Sequence, residues 1–108
     1  MNLTVDKCQT SMHGFEYKNN YVKRAFYKKL EDKNSMDVVL DSLDFIKSHK
    51  NNPAKIELNA TSNPPKNSEH PIIFATFNNN DAIVVDSNYP STIDFLRACA
   101  SKSTYKTV

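Results

Sequence analysis

Hydrophobic positions along the chain change their spacing several times, and each change predicts an element. From Asn20 to Lys33, Val22, Phe26 and Leu30 recur four residues apart with Ala25 beside them, which predicts a helix with one buried stripe. Lys23, Arg24 and Lys28 fall off that stripe. A second helix is expected to start at Asn34 or Ser35 and to run to about Ser48. Asn34 as N-cap would place Asp37 at the third helical position, and Asn51-Asn52-Pro53 ends the run. Its apolar residues fall on two sides: Met36, Val39, Leu40, Leu43 and Ile46 form a broad face, with Val38 and Phe45 roughly opposite. Asp37, Asp41 and Asp44 make a ridge between the two. A helix that is apolar on two sides needs cover on two sides, from within the domain or from a partner.

Period-two spacing follows. Ile56, Leu58 and Ala60 alternate with Lys55, Glu57 and Asn59, as in a half-buried strand. After a loop containing Pro64-Pro65, residues 71–77 are apolar on both faces and predict a central strand. Asn78-Asn79-Asn80-Asp81 predicts a hairpin turn, because Asn and Asp tolerate positive φ, and residues 82–86 return antiparallel. Ser91-Thr92-Ile93-Asp94 is a capping box opening a last helix to about Ser101, with a frayed tail from Lys102. Residues 1–18 are harder to read: Leu3 and Val5, then Phe15 and Tyr17, alternate with polar neighbours and suggest one or two short strands. The expectation is therefore one α+β domain over 1–108, in the order (β)ααβββα. Two N-terminal helices and one C-terminal helix would pack on a three- to four-stranded antiparallel sheet.

Composition narrows the chemistry. At 108 residues, 39% hydrophobic and 24% charged, the chain has an ordinary globular balance. Gly14 is its sole glycine, so neither a Walker loop nor a dinucleotide fingerprint can be built, and no nucleotide is expected through a Gly-rich loop. The formal net charge of +2 implies no polyanionic partner by itself. No apolar run follows Met1 and no segment suits a bilayer. The two cysteines, Cys8 and Cys99, lie far apart, which suits free thiols in a reducing compartment. These features predict a cytoplasmic protein with no membrane contact, or one reaching a host cytosol by a signal-less route.

Candidate chemistry is sparse. Cys8, His70 and Asp86 occur in an order that some cysteine hydrolases use, yet the neighbours of Cys8 match no nucleophile signature. Cys8 and His13 make at most half of a zinc site, and three aspartates on one ridge are more often a solvated face, so neither metal nor cofactor is expected. The 18–33 helix carries six basic residues. Lys23, Arg24, Tyr27 and Lys28 would be its nucleic-acid contacts, lysines against phosphates and tyrosine against bases. The order of elements over residues 20–86 resembles that of the small ribosome-dependent ribonuclease toxins of toxin–antitoxin pairs. Those toxins carry Arg and Lys on the sheet, where the strands here offer only Lys55, so the resemblance implies no site residues. The leading expectation is a non-enzymatic interaction domain (adaptor, inhibitor, immunity-type or effector protein) that docks to a protein partner or to itself. Asp37, Val38, Asp41, Asp44 and Phe45 would make the contact. A nucleic-acid binder is the alternative, and a small cysteine hydrolase ranks third.

Overall fold

A computed structural model describes residues 13–104 of the chain. The order is β1 (Gly14–Tyr17), α1 (Asn20–Lys33), α2 (Met36–Ser48), β2 (Lys55–Ala60), β3 (Ile73–Phe77), β4 (Ile83–Val85), a short 3-10 turn (Asp86–Asn88) and α3 (Thr92–Thr104). The strands form one sheet in the order β1-β2-β3-β4. β2–β3 and β3–β4 pair antiparallel, as expected, whereas β1 pairs with β2 in parallel, which makes the sheet mixed. The two intervening helices account for this. α1 leads away from the end of β1 and α2 brings the chain back, so β2 starts beside the start of β1.

Register sorts the strand residues onto two faces. Tyr17, Leu58, Ala75 and Val84 pair in a row across all four strands, and Phe15, Ile56 and Phe77 form a second row. This face meets Val22, Phe26 and Leu30 of α1 and Phe95, Leu96 and Cys99 of α3 in a single core. The other face carries the row Glu16, Glu57, Thr76 and Ile83. The like-charged neighbours Glu16 and Glu57 are eased by Lys55 Nζ, 3.9 Å from one carboxylate and 3.8 Å from the other.

Local chemistry sets the helix ends. Asn19 caps α1, its Oδ1 accepting from Val22 N at 3.0 Å. Ser35, rather than Asn34, caps α2 through Val38 N. Asn34 is occupied elsewhere: its Nδ2 donates to Leu30 O and to Thr92 Oγ1, both at 2.9 Å, and its Oδ1 accepts from Thr92 N. One side chain thus joins the end of α1 to the start of α3. Ser91 caps α3, its Oγ accepting from Asp94 N at 3.5 Å and donating to Asp94 Oδ2 at 3.0 Å.

The expected fray from Lys102 does not occur within the described residues. α3 continues to Thr104, Ser103 is buried, and hairpin asparagines hold its last carbonyls. Asn79 Nδ2 donates to Ser103 O at 2.6 Å and Asn80 Nδ2 to Lys102 O at 3.2 Å. These groups satisfy carbonyls that a helix end leaves open. The hairpin asparagines therefore act through their side chains. Among the described residues, the non-glycine with positive φ is Asn67. Leu3 and Val5 lie outside the described residues.

Candidate functional site

α2 presents a choice of orientation. Ser35, Ser42 and His49 lie along one gap between its apolar sides, and the three aspartates lie along the other. Sinking the aspartate gap would strip water from three carboxylates, whereas sinking the serine gap desolvates little more than a hydroxyl. The helix adopts the second arrangement. Ser42 is fully buried and Val39 nearly so, while Val38, Phe45 and Ile46 are half-buried beside them. Phe45 packs on Phe15, ring centroids 6.1 Å apart, and on His49 at 4.2 Å. Phe45 is thus on the inward side of the helix, not on a second outward face, and Val38 is half-buried. Phe45 belongs to the packing of the fold.

What α2 leaves outside is part of the broad face. Met36 is 68% exposed and Leu40 54%, one turn apart on the same side. Asp37, Asp41 and Asp44 stand beside them, all exposed, and none makes an ion pair among the described residues. Sequence reasoning found the aspartates but missed Met36 and Leu40 as surface. The signal was present in the polar content of the two gaps.

α1 is arranged differently. The Tyr21 hydroxyl donates to Thr61 O at 2.8 Å, holding the start of the 61–72 loop. Lys29 Nζ sits 2.7 Å from Asp86 Oδ2 and donates to Pro71 O at 3.3 Å, and both side chains of that ion pair are mostly buried. Asp32 Oδ2 lies 3.2 Å from Nε2 of the buried His70. Between α1 and residues 69–71 these contacts leave a groove of about 360 Å³ with Tyr21, Ala25 and Pro71 as apolar lining. Arg24 and Lys28 line it too, opposed by Glu69.

The four candidate nucleic-acid contacts do not form one platform. Tyr27 lies edge-on to Tyr17 and Lys23 Nζ is 6.0 Å above the Tyr17 ring, on the β1 flank of α1. Arg24 and Lys28 line the groove on the other flank, with Tyr21. Burial, with Tyr27 adding to it, pushes the Tyr17 phenol up and keeps it neutral.

The hydrolase triple is not assembled among the described residues. His70 meets Asp32, Asp86 meets Lys29, and Cys8 lies outside the described residues. Ser68 Oγ is spent on the backbone of His70, accepting from its N–H and donating to its carbonyl. Cys99 is free and buried, and burial with the nearby Asp86 charge pushes its thiol up, away from the reactive thiolate. No group of three metal-ligating side chains occurs among the described residues, where His13 instead pairs with Glu16 at 3.1 Å. A cavity of about 660 Å³ beside His49 and Pro53 is edged by Asn52, Asn78 and Asn79, each already committed to holding backbone. No helix among the described residues is long and apolar enough to cross a membrane. Compared with known protein families, with curated proteins and with solved structures, the chain matches none of them.

Proposed function

We propose that this chain works by docking, and that its contact surface is the outward side of α2: Met36 and Leu40 flanked by Asp37, Asp41 and Asp44. The partner is a protein offering an apolar groove with a basic rim, since that combination would bury the two side chains and answer the carboxylates together. The observation that carries this reading is the exposure of Met36 and Leu40 on a helix whose inward side is already filled. Solvated aspartates keep such a surface soluble until it is covered. A cytoplasmic site of action fits the free, buried Cys99.

A photo-crosslinking residue at position 40 tests the proposal, with the same residue at the exposed Arg97 as control. A discrete adduct should form from position 40 alone and disappear when Asp37 and Asp41 are changed to Lys. Equal labelling from both positions, or an adduct indifferent to the aspartates, would refute it.

A further inference from the structure

We propose that the partner is a second copy of this chain: the α2 ridge of one molecule docks in the groove between α1 and residues 69–71 of the next. This rests on the reading of α2 as a contact surface and adds what covers it. The groove has the qualities that the ridge requires. Its floor is apolar, from Tyr21, Ala25 and Pro71, and Arg24 and Lys28 stand against the single carboxylate of Glu69. Both cations are available. Arg24 is exposed and unpaired among the described residues, and Lys28 reaches Asp32 only at 3.7 Å with its side chain 70% exposed.

Spacing matches as well. Arg24 and Lys28 are one turn apart, as are Asp37 and Asp41, and as are Met36 and Leu40. Four residues of helix rise about 6 Å, so two ion pairs can form together over the apolar contact. The ridge does not suit itself: a two-fold pairing of α2 on α2 would bring six aspartates together. Ridge against groove is therefore a heterologous, head-to-tail contact, in which every open assembly still offers one free ridge at one end and one free groove at the other.

Light scattering coupled to gel filtration tests this on the full chain. At low salt the weight-average mass should climb with concentration from 12.3 kDa to more than twice that value, and fall back as salt is added. Two variants separate the surfaces, Arg24→Glu with Lys28→Glu, and Asp37→Lys with Asp41→Lys. Each changes only exposed positions and should keep the wild-type circular dichroism. Each alone should run as a monomer, because one half of every contact is reversed. Mixed, they should associate again in one-to-one proportion and alternate along the assembly, native ridge in native groove and reversed ridge in reversed groove. A chain carrying all four reversals should associate again. Variants that associate like the wild type, or a mixture that stays monomeric, would overturn the proposal. If the wild type is monomeric throughout while position 40 still crosslinks a different protein, self-docking fails and the docking reading survives. If position 40 forms no specific adduct with any protein, itself included, both fail.

Discussion

α1 and α2 each bury one side against the rest of the molecule, but their outward sides are treated differently. α1 is fastened there as well: Tyr21 holds Thr61, Lys29 holds Asp86 and Pro71, and Asp32 meets His70. α2 has Met36, Leu40 and three aspartates outside, with no ion pair among the described residues. The contrast is what the proposed contact surface rests on. Tyr21, Lys29 and Asp32 of α1 are spent on pinning the 61–72 loop, which leaves Arg24 and Lys28 beside it, whereas the three aspartates of α2 make no ion pair among the described residues. The loop that fastens α1 also forms one wall of the groove beside it, whereas α2, fastened on a single side, is left as an open ridge.

The comparison breaks most readily at two leucines. Leu30 of α1 is 1% exposed in the main core, so Leu30→Ala should cost about 3 kcal/mol in urea unfolding. A loss below about 1 kcal/mol would mean that α1 is not anchored as described. Next in size is the pair between Lys29 and Asp86, whose side chains are 19% and 12% exposed. Asp86→Asn leaves a buried ammonium facing a neutral amide and should cost about 2 kcal/mol, less than a fully buried pair because some solvent reaches it. Lys28→Ala breaks a pair exposed at 70% and 44%, and its cost should stay within about 0.5 kcal/mol. Equal losses at Lys28 and Asp86 would erase the distinction between fastened and free charges on α1.

How far these features could be read from the chain depended on how many solutions each pattern allowed. α1 was fully legible, because Val22, Phe26 and Leu30 define a single stripe and leave one way to sit. β2, β3 and the cap at Ser91 were legible for the same reason. α2 offered two orientations, and the apolar count alone does not choose between them. The choice turns on what lies in the gaps, one serine line against three aspartates, and that comparison of desolvation costs was available in the residues. β1 was less accessible. Its place depends on Gly14, which has φ of +59° where a Cβ would run into the His49 carbonyl and the Lys50 backbone. Only the folded chain shows that the end of α2 comes so close. The hairpin asparagines misled in another way: residues that favour a tight turn serve here to close α3, a role set by residues more than twenty positions away.

Alkaline pH probes the fastened side. Burial raises the Cys99 thiol and the Tyr17 phenol, so folding favours their neutral forms. In the unfolded chain they ionise at about 8.5 and about 10. Their contribution to stability is therefore complete below about pH 8.5 and declines as pH rises beyond it, because the unfolded state then releases protons that the folded state retains. Urea midpoints should fall from pH 8 to pH 11. Tyr17→Phe keeps the ring against Phe26 and should flatten the upper part of that decline. A midpoint independent of pH across that range would show that neither group is shielded.

The smaller effects concern α2. Ser42 is fully buried and its Oγ has no hydrogen-bond partner among the described residues, so burial costs the hydroxyl its hydration with no bond among them in return. Ser42→Ala removes that group and improves helix propensity, and should stabilise the chain by about 1 kcal/mol. A loss of similar size would mean that the hydroxyl finds a partner and that the serine gap is more than the less costly side to sink. Leu40 then supplies the counterpart to Leu30. The residue type is the same, but Leu40 is 54% exposed against 1%. Leu40→Ala should shift the unfolding free energy by no more than about 0.5 kcal/mol, because little apolar surface returns to water and alanine is the better helix former. The same substitution should nevertheless weaken association, since the methyl groups removed are those that a docked groove would cover. Stability unchanged with association lost assigns Leu40 to contact. Stability lost in the measure of Leu30 would make α2 a second fastened helix and end the contrast on which the docking surface rests.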